Sequence, residues 1–358
     1  MSRIVLGLFV IVSFVWTPAV DSAPPNPGYV VQGIGPLPGD NEANGFGVND
    51  SGSVVGRSFG PDGERAFYWD RPTGALYQLT TTGATGAAFA IAGGPAGIAY
   101  AVGHESSPGG GAHAVIWIAP PTSSPIALDG AGSRAFGVND NGVAVGTASG
   151  LPVAWAPDGN NGYVRTNISL LPGQQAAIAE DINNDGIVVG GGFELAVPPQ
   201  RAFLRLLNGS VIELAPAPGD IESRAEAVSD IVTIADRNLV YVGGRTGDAS
   251  VSRGVRWTVD VDTGDVLDQT VLDLQFAAGV NGAGDVAGAS SDGVGRRTRQ
   301  SATLWRDGIY ITLEPPRGGR NTASLGMARG ATSPLYVVGS TFTNKMGIRV
   351  QAVVWEVN

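Results

Sequence analysis

The sequence predicts an all-β repeat protein, and three observations carry that prediction. A glycine closes a short apolar run seven times, in Val-Val-Gly56, Ala-Val-Gly103, Ala-Val-Gly146, Val-Val-Gly190, Tyr-Val-Gly243, Val-Ala-Gly288 and Val-Val-Gly339. The intervals of 47, 43, 44, 53, 45 and 51 residues indicate one supersecondary unit per period. The 54 glycines and 23 prolines punctuate runs rich in Val, Ala and Ile, a composition that breaks helices and bounds strands. No amphipathic helical pattern follows the first residues.

From the N-terminus, Arg3 followed by the uncharged apolar segment Ile4 to Trp16, with small residues Ala19, Ser22 and Ala23, has the form of a secretory signal. Residues 1–23 are therefore assigned to a signal peptide and 24–358 to a single domain. The apolar segment is short for a membrane span and no second one follows, so no stable span is expected after cleavage. Tyr29 to Gln32 is next, an extended run that precedes the first full period.

That period, residues 45 to 79, contains Gly-Phe-Gly-Val48, the turn Asn-Asp-Ser-Gly52, Ser-Val-Val-Gly56, Arg-Ala-Phe-Tyr-Trp69 and Leu-Tyr-Gln-Leu79. Four extended runs separated by turn signals make a four-stranded antiparallel meander, with strands a to d. Strand a begins with a small residue three before a hydrophobe: Gly45/Val48, Ala88/Ile91, Ala135/Val138, Ala179/Ile182, Ala225/Val228, Ala277/Val280 and Ser324/Met327. Strand c ends in Trp69, Trp117, Trp155, Trp257, Trp305 and Trp355, with Arg205 the exception. Three residues before that end the side chain is small or proline, as at Ala66 and Pro152, and two before it is bulky, as at Phe67 and Val153. Neighbouring strand residues face opposite ways, so both faces of strand c are constrained. A sheet packed on both faces against copies of itself is a propeller blade, and seven copies predict a seven-bladed β-propeller.

The seventh unit ends with strand c, Gln-Ala-Val-Val-Trp355, and lacks a strand d of its own. Docking Tyr29 to Gln32 onto Gln351 to Trp355 supplies it, so closure by pairing of the N-terminal strand with the C-terminal blade is expected; it removes exposed sheet edges. An open solenoid would instead need capping units at both ends.

Two motifs resemble known families. Ala-Phe-Gly-Val-Asn-Asp-Asn-Gly-Val-Ala-Val-Gly146 and Arg-Ala-Phe-Tyr-Trp69 resemble the bacterial HAF extracellular repeat, with its His/Arg-Ala-Phe-Leu-Trp strand and Ile-Asn-x-x-Gly-x-Val-Val-Gly hairpin. The resemblance covers the chain after the signal, with departures at Arg205 and Pro152. The layout is also similar to WD-type propellers, in which a turn ending in glycine precedes strand b and a tryptophan closes strand c. The HAF resemblance implies an exported protein and no enzymatic activity.

Charge narrows the partners. With 32 acidic residues against 22 basic ones, of which only Lys345 is lysine, the net charge is −10, so nucleic acid is not an expected partner. The absence of cysteine excludes a disulfide framework, and the expected location is secreted or periplasmic.

Three constellations could carry chemistry. Asp181, Asn183 and Asp185 before Gly186 match the first half of a calcium loop, but Gly192 stands where a bidentate glutamate belongs; the alternative is a tight turn between strands a and b. His104 and His113 flank a glycine-rich loop with Glu105 and could bind a metal or serve acid/base chemistry, without an evident third ligand. No nucleophile elbow or sialidase-type repeat is present. Four residues before the end of strand c stand Arg65, His113, Leu151, Arg201, Arg253, Ser301 and Gln351. In a ring these equivalent positions would surround one mouth, where Arg65, His113, Arg201, Arg253 and Gln351 could hold a carboxylated ligand, or else hydrogen-bond the loops of their own blades.

The expectation is an exported binding or scaffold module that takes an extracellular carbohydrate or protein ligand on its loop face. It requires no cofactor, with calcium the alternative. The competing expectation is an extracytoplasmic polysaccharide lyase or hydrolase with its site in the central depression.

Overall fold

The computed structural model describes residues 28–93, 97–120, 124–194, 197–248, 251–292, 299–316, 319–327, 334–343 and 349–358. The signal segment expected over 1–23 lies outside the described residues. No α-helix occurs among them, so no helix of the described residues is long and apolar enough to cross a membrane.

The chain enters with Tyr29–Ile34 (β1) and then folds into six successive antiparallel meanders. The first comprises Glu42–Val48, Val54–Gly60, Gly63–Asp70 and Ala75–Gln78 (β2 to β5). Thr85–Gly93, Ala99–Ser106, His113–Ala119 and Ile126–Ala131 (β6 to β9) follow, then Ser133–Val138, Ala144–Ala148, Leu151–Pro157 and Tyr163–Asn167 (β10 to β13). The fourth is Ala176–Ile182, Val188–Glu194, Val197–Arg205 and Val211–Leu214 (β14 to β17). Glu222–Val228, the short Val232–Ile234, Arg237–Gly247, Ser252–Asp260 and Val266–Leu272 (β18 to β22) make the fifth, in which β19 merely extends the hairpin. Phe276–Val280, Val286–Asp292, Arg299–Arg306 and Ile309–Leu313 (β23 to β26) complete the sixth.

Gly319–Met327, Leu335–Thr343 and Val350–Val357 (β27 to β29) form a three-stranded seventh unit, and β1 pairs antiparallel with β29, Val31 opposite Trp355 and Tyr29 opposite Val357. A parallel bridge between Glu42 and Val350 joins this unit to the first meander.

Alternation along each strand builds the core between sheets. Val54, Phe67 and Trp69 face one way and pack with Tyr336, Val338 and Val354 of the seventh unit. Val55, Ala66 and Tyr68 face the other way and pack with Ala88, Ile91, Val115 and Trp117 of the second. Each sheet therefore buries both faces, and the apolar area this removes from water is the main stabilising term. Trp69, Trp117, Trp155, Trp257 and Trp355 are buried, as their recurrence predicts. Trp305 is half-buried and instead stacks on the Arg256 guanidinium, 4.8 Å from its ring centroid.

Candidate functional site

Every strand a carries a β-bulge at the same place. The register slips between Gly45 and Gly47, Ala88 and Ala90, Ala135 and Gly137, Ala179 and Asp181, Ala225 and Ala227, Ala277 and Gly279, and Ser324 and Gly326. A bulge leaves one residue without a partner opposite and re-aims its side chain. The residues so placed in the first six units are Phe46, Phe89, Phe136, Glu180, Glu226 and Ala278.

The recurring glycine of strand b is explained by the same feature. It pairs with the small residue just before the bulge, and a Cβ on Gly56, Gly103, Gly146, Gly190, Gly244 or Gly288 would land on the strand a carbonyl oxygen of Asn44, Ala87, Arg134, Ile178, Arg224 or Phe276 respectively. Only glycine permits that approach. In the fifth unit the equivalent residue is Gly244, which pairs with Ala225, and not Gly243, which pairs with Ala227. In the run Tyr-Val-Gly-Gly the sequence periodicity selects the wrong one of two adjacent glycines.

The bulged residues of six units line a central cavity of about 420 Å³, to which Gly326 of the seventh also contributes. Its wall has two unlike halves. Phe46, Phe89 and Phe136 form a continuous aromatic arc, with centroids 5.7 Å apart for the first pair and 5.3 Å for the second. Arg57 sits over the Phe46 ring at 5.6 Å, and His104 stacks on Phe89 at 5.5 Å. The other half carries Glu180 and Glu226 with two arginines from the fifth unit. Arg224 bonds Glu180, and Arg245 lies 3.4 Å from Glu226. Burial raises the proton affinity of both carboxyls above the ordinary glutamate range; Arg224 and Arg245 oppose that rise without cancelling it. A second cavity, of about 370 Å³, shares Arg224 and Arg245 with the first and opens toward the loop after Gly247.

One end of the central cavity is framed by the hairpins between strands a and b. Asn139 and Asn183 each accept a backbone N–H four residues on, from Val143 at 3.0 Å and Ile187 at 2.8 Å. Their side-chain amides donate to the next unit, Asn139 to the Asn183 carbonyl at 3.0 Å and Asn183 to the Ser229 carbonyl at 2.8 Å. The calcium candidates belong to this belt: Asp181 accepts the Val228 N–H at 3.0 Å and Asp185 the Ile231 N–H at 2.9 Å. Among the described residues no group of three His, Asp or Glu side chains is placed to share a metal.

His104 and His113 lie on neighbouring strands, but His104 is turned toward Phe89 and Glu64, its Nε2 4.0 Å from that carboxylate. Burial and, after it, the charge of Arg134 lower its proton affinity. Glu105 is held separately by the Thr81 N–H at 2.7 Å.

None of Arg65, His113, Arg201, Arg253 and Gln351 lines the central cavity. Arg65 pairs with Asp40 at 2.7 Å and also donates to Gln78 and to the Pro38 carbonyl. Arg201 bonds Glu213 and the Pro172 carbonyl, and Arg253 pairs with Asp220 at 2.7 Å. Gln351 is buried beside Gly33 of β1. The five positions are equivalent in the repeat, and the structure places the guanidiniums of Arg65, Arg201 and Arg253 on the carboxylates of Asp40, Glu213 and Asp220.

No family model and no curated protein matches the chain. Among solved structures, a catalytically inactive virginiamycin B lyase from Staphylococcus aureus with quinupristin has a TM-score of 0.53 at 10% identity, covering 92% of this chain and 100% of that one. A chain of a mitotic checkpoint complex has a TM-score of 0.50 at 14% identity, over 97% and 98% of the two chains. The Dos1 propeller has 0.49 at 9% identity, over 91% and 94%. The lyase is a β-propeller protein, and the all-β architecture of four-stranded antiparallel sheets is of that kind. Identities this low speak to the fold alone.

Proposed function

We propose that this chain is an exported seven-bladed β-propeller that works as a binding module, with its ligand seated in the central cavity. The ring reading is supported by six complete meanders, by the fourth strand that β1 adds to the seventh unit, and by first strands of all seven units around one cavity. Export is supported by Arg3 and the apolar run after it, and by the likeness of Arg-Ala-Phe-Tyr-Trp69 to an extracellular repeat.

The observation that carries the binding role is the two-sided wall. Phe46, Phe89 and Phe136 offer a surface for a flat apolar face, while Glu180, Glu226, Arg224 and Arg245 offer donors and acceptors to a polar edge. Concave sites that combine an apolar surface with a few convergent polar groups are the usual form of small-ligand sites. A sugar ring, apolar on one face and hydroxylated at its rim, has the required shape. Screening the purified protein and a Phe89→Ala variant against a glycan array tests the proposal. Binding lost in the variant supports it, and binding that the variant retains in full places the ligand elsewhere.

The competing reading, a polysaccharide lyase or hydrolase, is favoured by one observation: two half-buried carboxyls, Glu180 and Glu226, with raised proton affinity, the property required of a general acid. Product release from polysaccharide that is abolished by Glu226→Gln would favour it over simple binding.

A further inference from the structure

We propose that the ligand is an extended oligosaccharide, with one sugar in the central cavity and at least one more in the second cavity, crossing between the fourth and fifth units. The inference rests on the reading of the central cavity as the ligand site and assigns the length and path of what enters.

A departure from the repeat marks the crossing. The residue that follows the recurring glycine of strand b is Arg57, His104, Thr147, Gly191, Arg245, Ala289 and Ser340 in the seven units. Where that side chain is large it lies against the bulged residue of its own unit: Arg57 over Phe46 at 5.6 Å, His104 on Phe89 at 5.5 Å, and Arg245 at 3.4 Å from Glu226. The fourth unit alone has glycine there, so its strand b supplies no side chain to back Glu180. Arg224 of the fifth unit takes that place and bonds Glu180, and a Cβ on Gly191 would stand 3.2 Å from the Arg224 Cγ. Arg224 and Arg245 line both cavities, which therefore meet at these two long side chains.

The second cavity is furnished like the first. It encloses about 370 Å³ beside the central 420 Å³, with Phe193 as an apolar face and Gln200, Glu222 and Ser252 as polar groups around it. An aromatic surface with a few convergent polar groups is again the form of a small-ligand site. At the junction, a guanidinium carries five N–H donors, and a carboxylate takes at most two of them in a fork. Pairing with Glu180 and Glu226 thus leaves Arg224 and Arg245 with donors for the ring and glycosidic oxygens of a chain that crosses there. Val251, 53% exposed, stands in the wall of the second cavity, so further sugars can leave toward solvent past it.

Calorimetric titration of the purified chain with cello-, malto- and chito-oligosaccharides, each series running from the monosaccharide to the pentasaccharide, tests the length. In at least one series affinity should rise about ten-fold or more from monosaccharide to trisaccharide, because a linked second sugar binds at high effective concentration. Phe193→Ala should return the trisaccharide to the affinity of the monosaccharide and leave the monosaccharide unchanged. Val251→Trp narrows the same cavity by addition at an exposed position and should do the same, so that loss of folding in one variant leaves the other to decide. Affinity independent of length, or a gain with length that the folded variants retain, overturns the extended path; if Phe89→Ala abolishes that binding, the central cavity stands as the ligand site. No binding in any series, or binding that Phe89→Ala retains in full, overturns both.

Discussion

Phe89 and Phe136 stack with ring centroids 5.3 Å apart and planes inclined by 28°, although they belong to different sheets. Each is the bulged residue of its strand a, so the contact exists because both strands carry the same irregularity at the same place. The bulge converts a repeat built for packing between sheets into one that also lines a cavity.

Replacing Phe89 with alanine should therefore abolish ligand binding at a modest cost in stability, about 1–2 kcal/mol, because its ring is only half-buried. Trp117→Ala is the contrast. Its side chain is 1% exposed, and its loss should cost about 3–5 kcal/mol. Denaturant titration of the two variants checks the ordering, and a Phe89→Ala protein destabilised as much as Trp117→Ala would make the arc a core element.

Glycine opposite the bulge should be irreplaceable. Gly146→Ala places a Cβ on the Arg134 carbonyl oxygen, which a neighbouring backbone cannot easily yield, and a loss of about 3 kcal/mol or more is expected. Gly130→Ala meets nothing within 4 Å and should be close to neutral. Urea midpoints of the pair give the comparison; equal midpoints would remove the steric account of the repeat.

Deleting Tyr29–Ile34 should lower the melting temperature sharply. Tyr29 and Val31 pack on the cluster containing Leu304 and Trp355, Ile34 is 3% exposed, and the deletion also bares the edge of β29. A loss of about 3–5 kcal/mol corresponds to that burial. A shortened protein that melts with the full chain would show that the pairing adds nothing to stability.

His104 should make the protein acid-sensitive. Its proton affinity is lowered in the folded state, by burial first and Arg134 second, with Glu64 opposing and His113 adding to the effect. A histidine with a depressed folded value contributes its stability in full above the unfolded value of about 6.5 and loses it as pH falls through the folded one. A His104→Phe variant keeps a ring against Phe89 and removes the titrating group. Relative to that variant, the wild type should lose stability between pH 7 and pH 5, read as the difference in urea midpoint. A constant difference across that range would show that His104 does not titrate with unfolding.

Much of the architecture was legible in the residues. The small residue before strand a's hydrophobe, the glycine of strand b and the tryptophan of strand c each answer to local packing or sterics. Local rules recur wherever the local sequence does, so Ala66, Trp69 and Gly56 announce themselves once per period. Tyr29 to Gln32 was recognisable as a strand without a partner because a four-stranded unit was one strand short.

The cavity was less legible, for a specific reason. Strict alternation would turn Phe46, Phe89 and Glu180 toward the faces between sheets, and only the bulge, an extra residue in the ladder, swings them into the cavity. The recurrence of Phe at three of the seven bulge positions was visible in the sequence as a signal, but its direction was not. The arginine column was the converse case. Arg65, Arg201 and Arg253 are equivalent in sequence, but Asp40, Glu213 and Asp220, which hold them, stand at no common spacing from them. A side chain's place in a period follows from the chain alone. Its ion partner depends on how loops of unequal length return through space, and that is settled when the sheets pack.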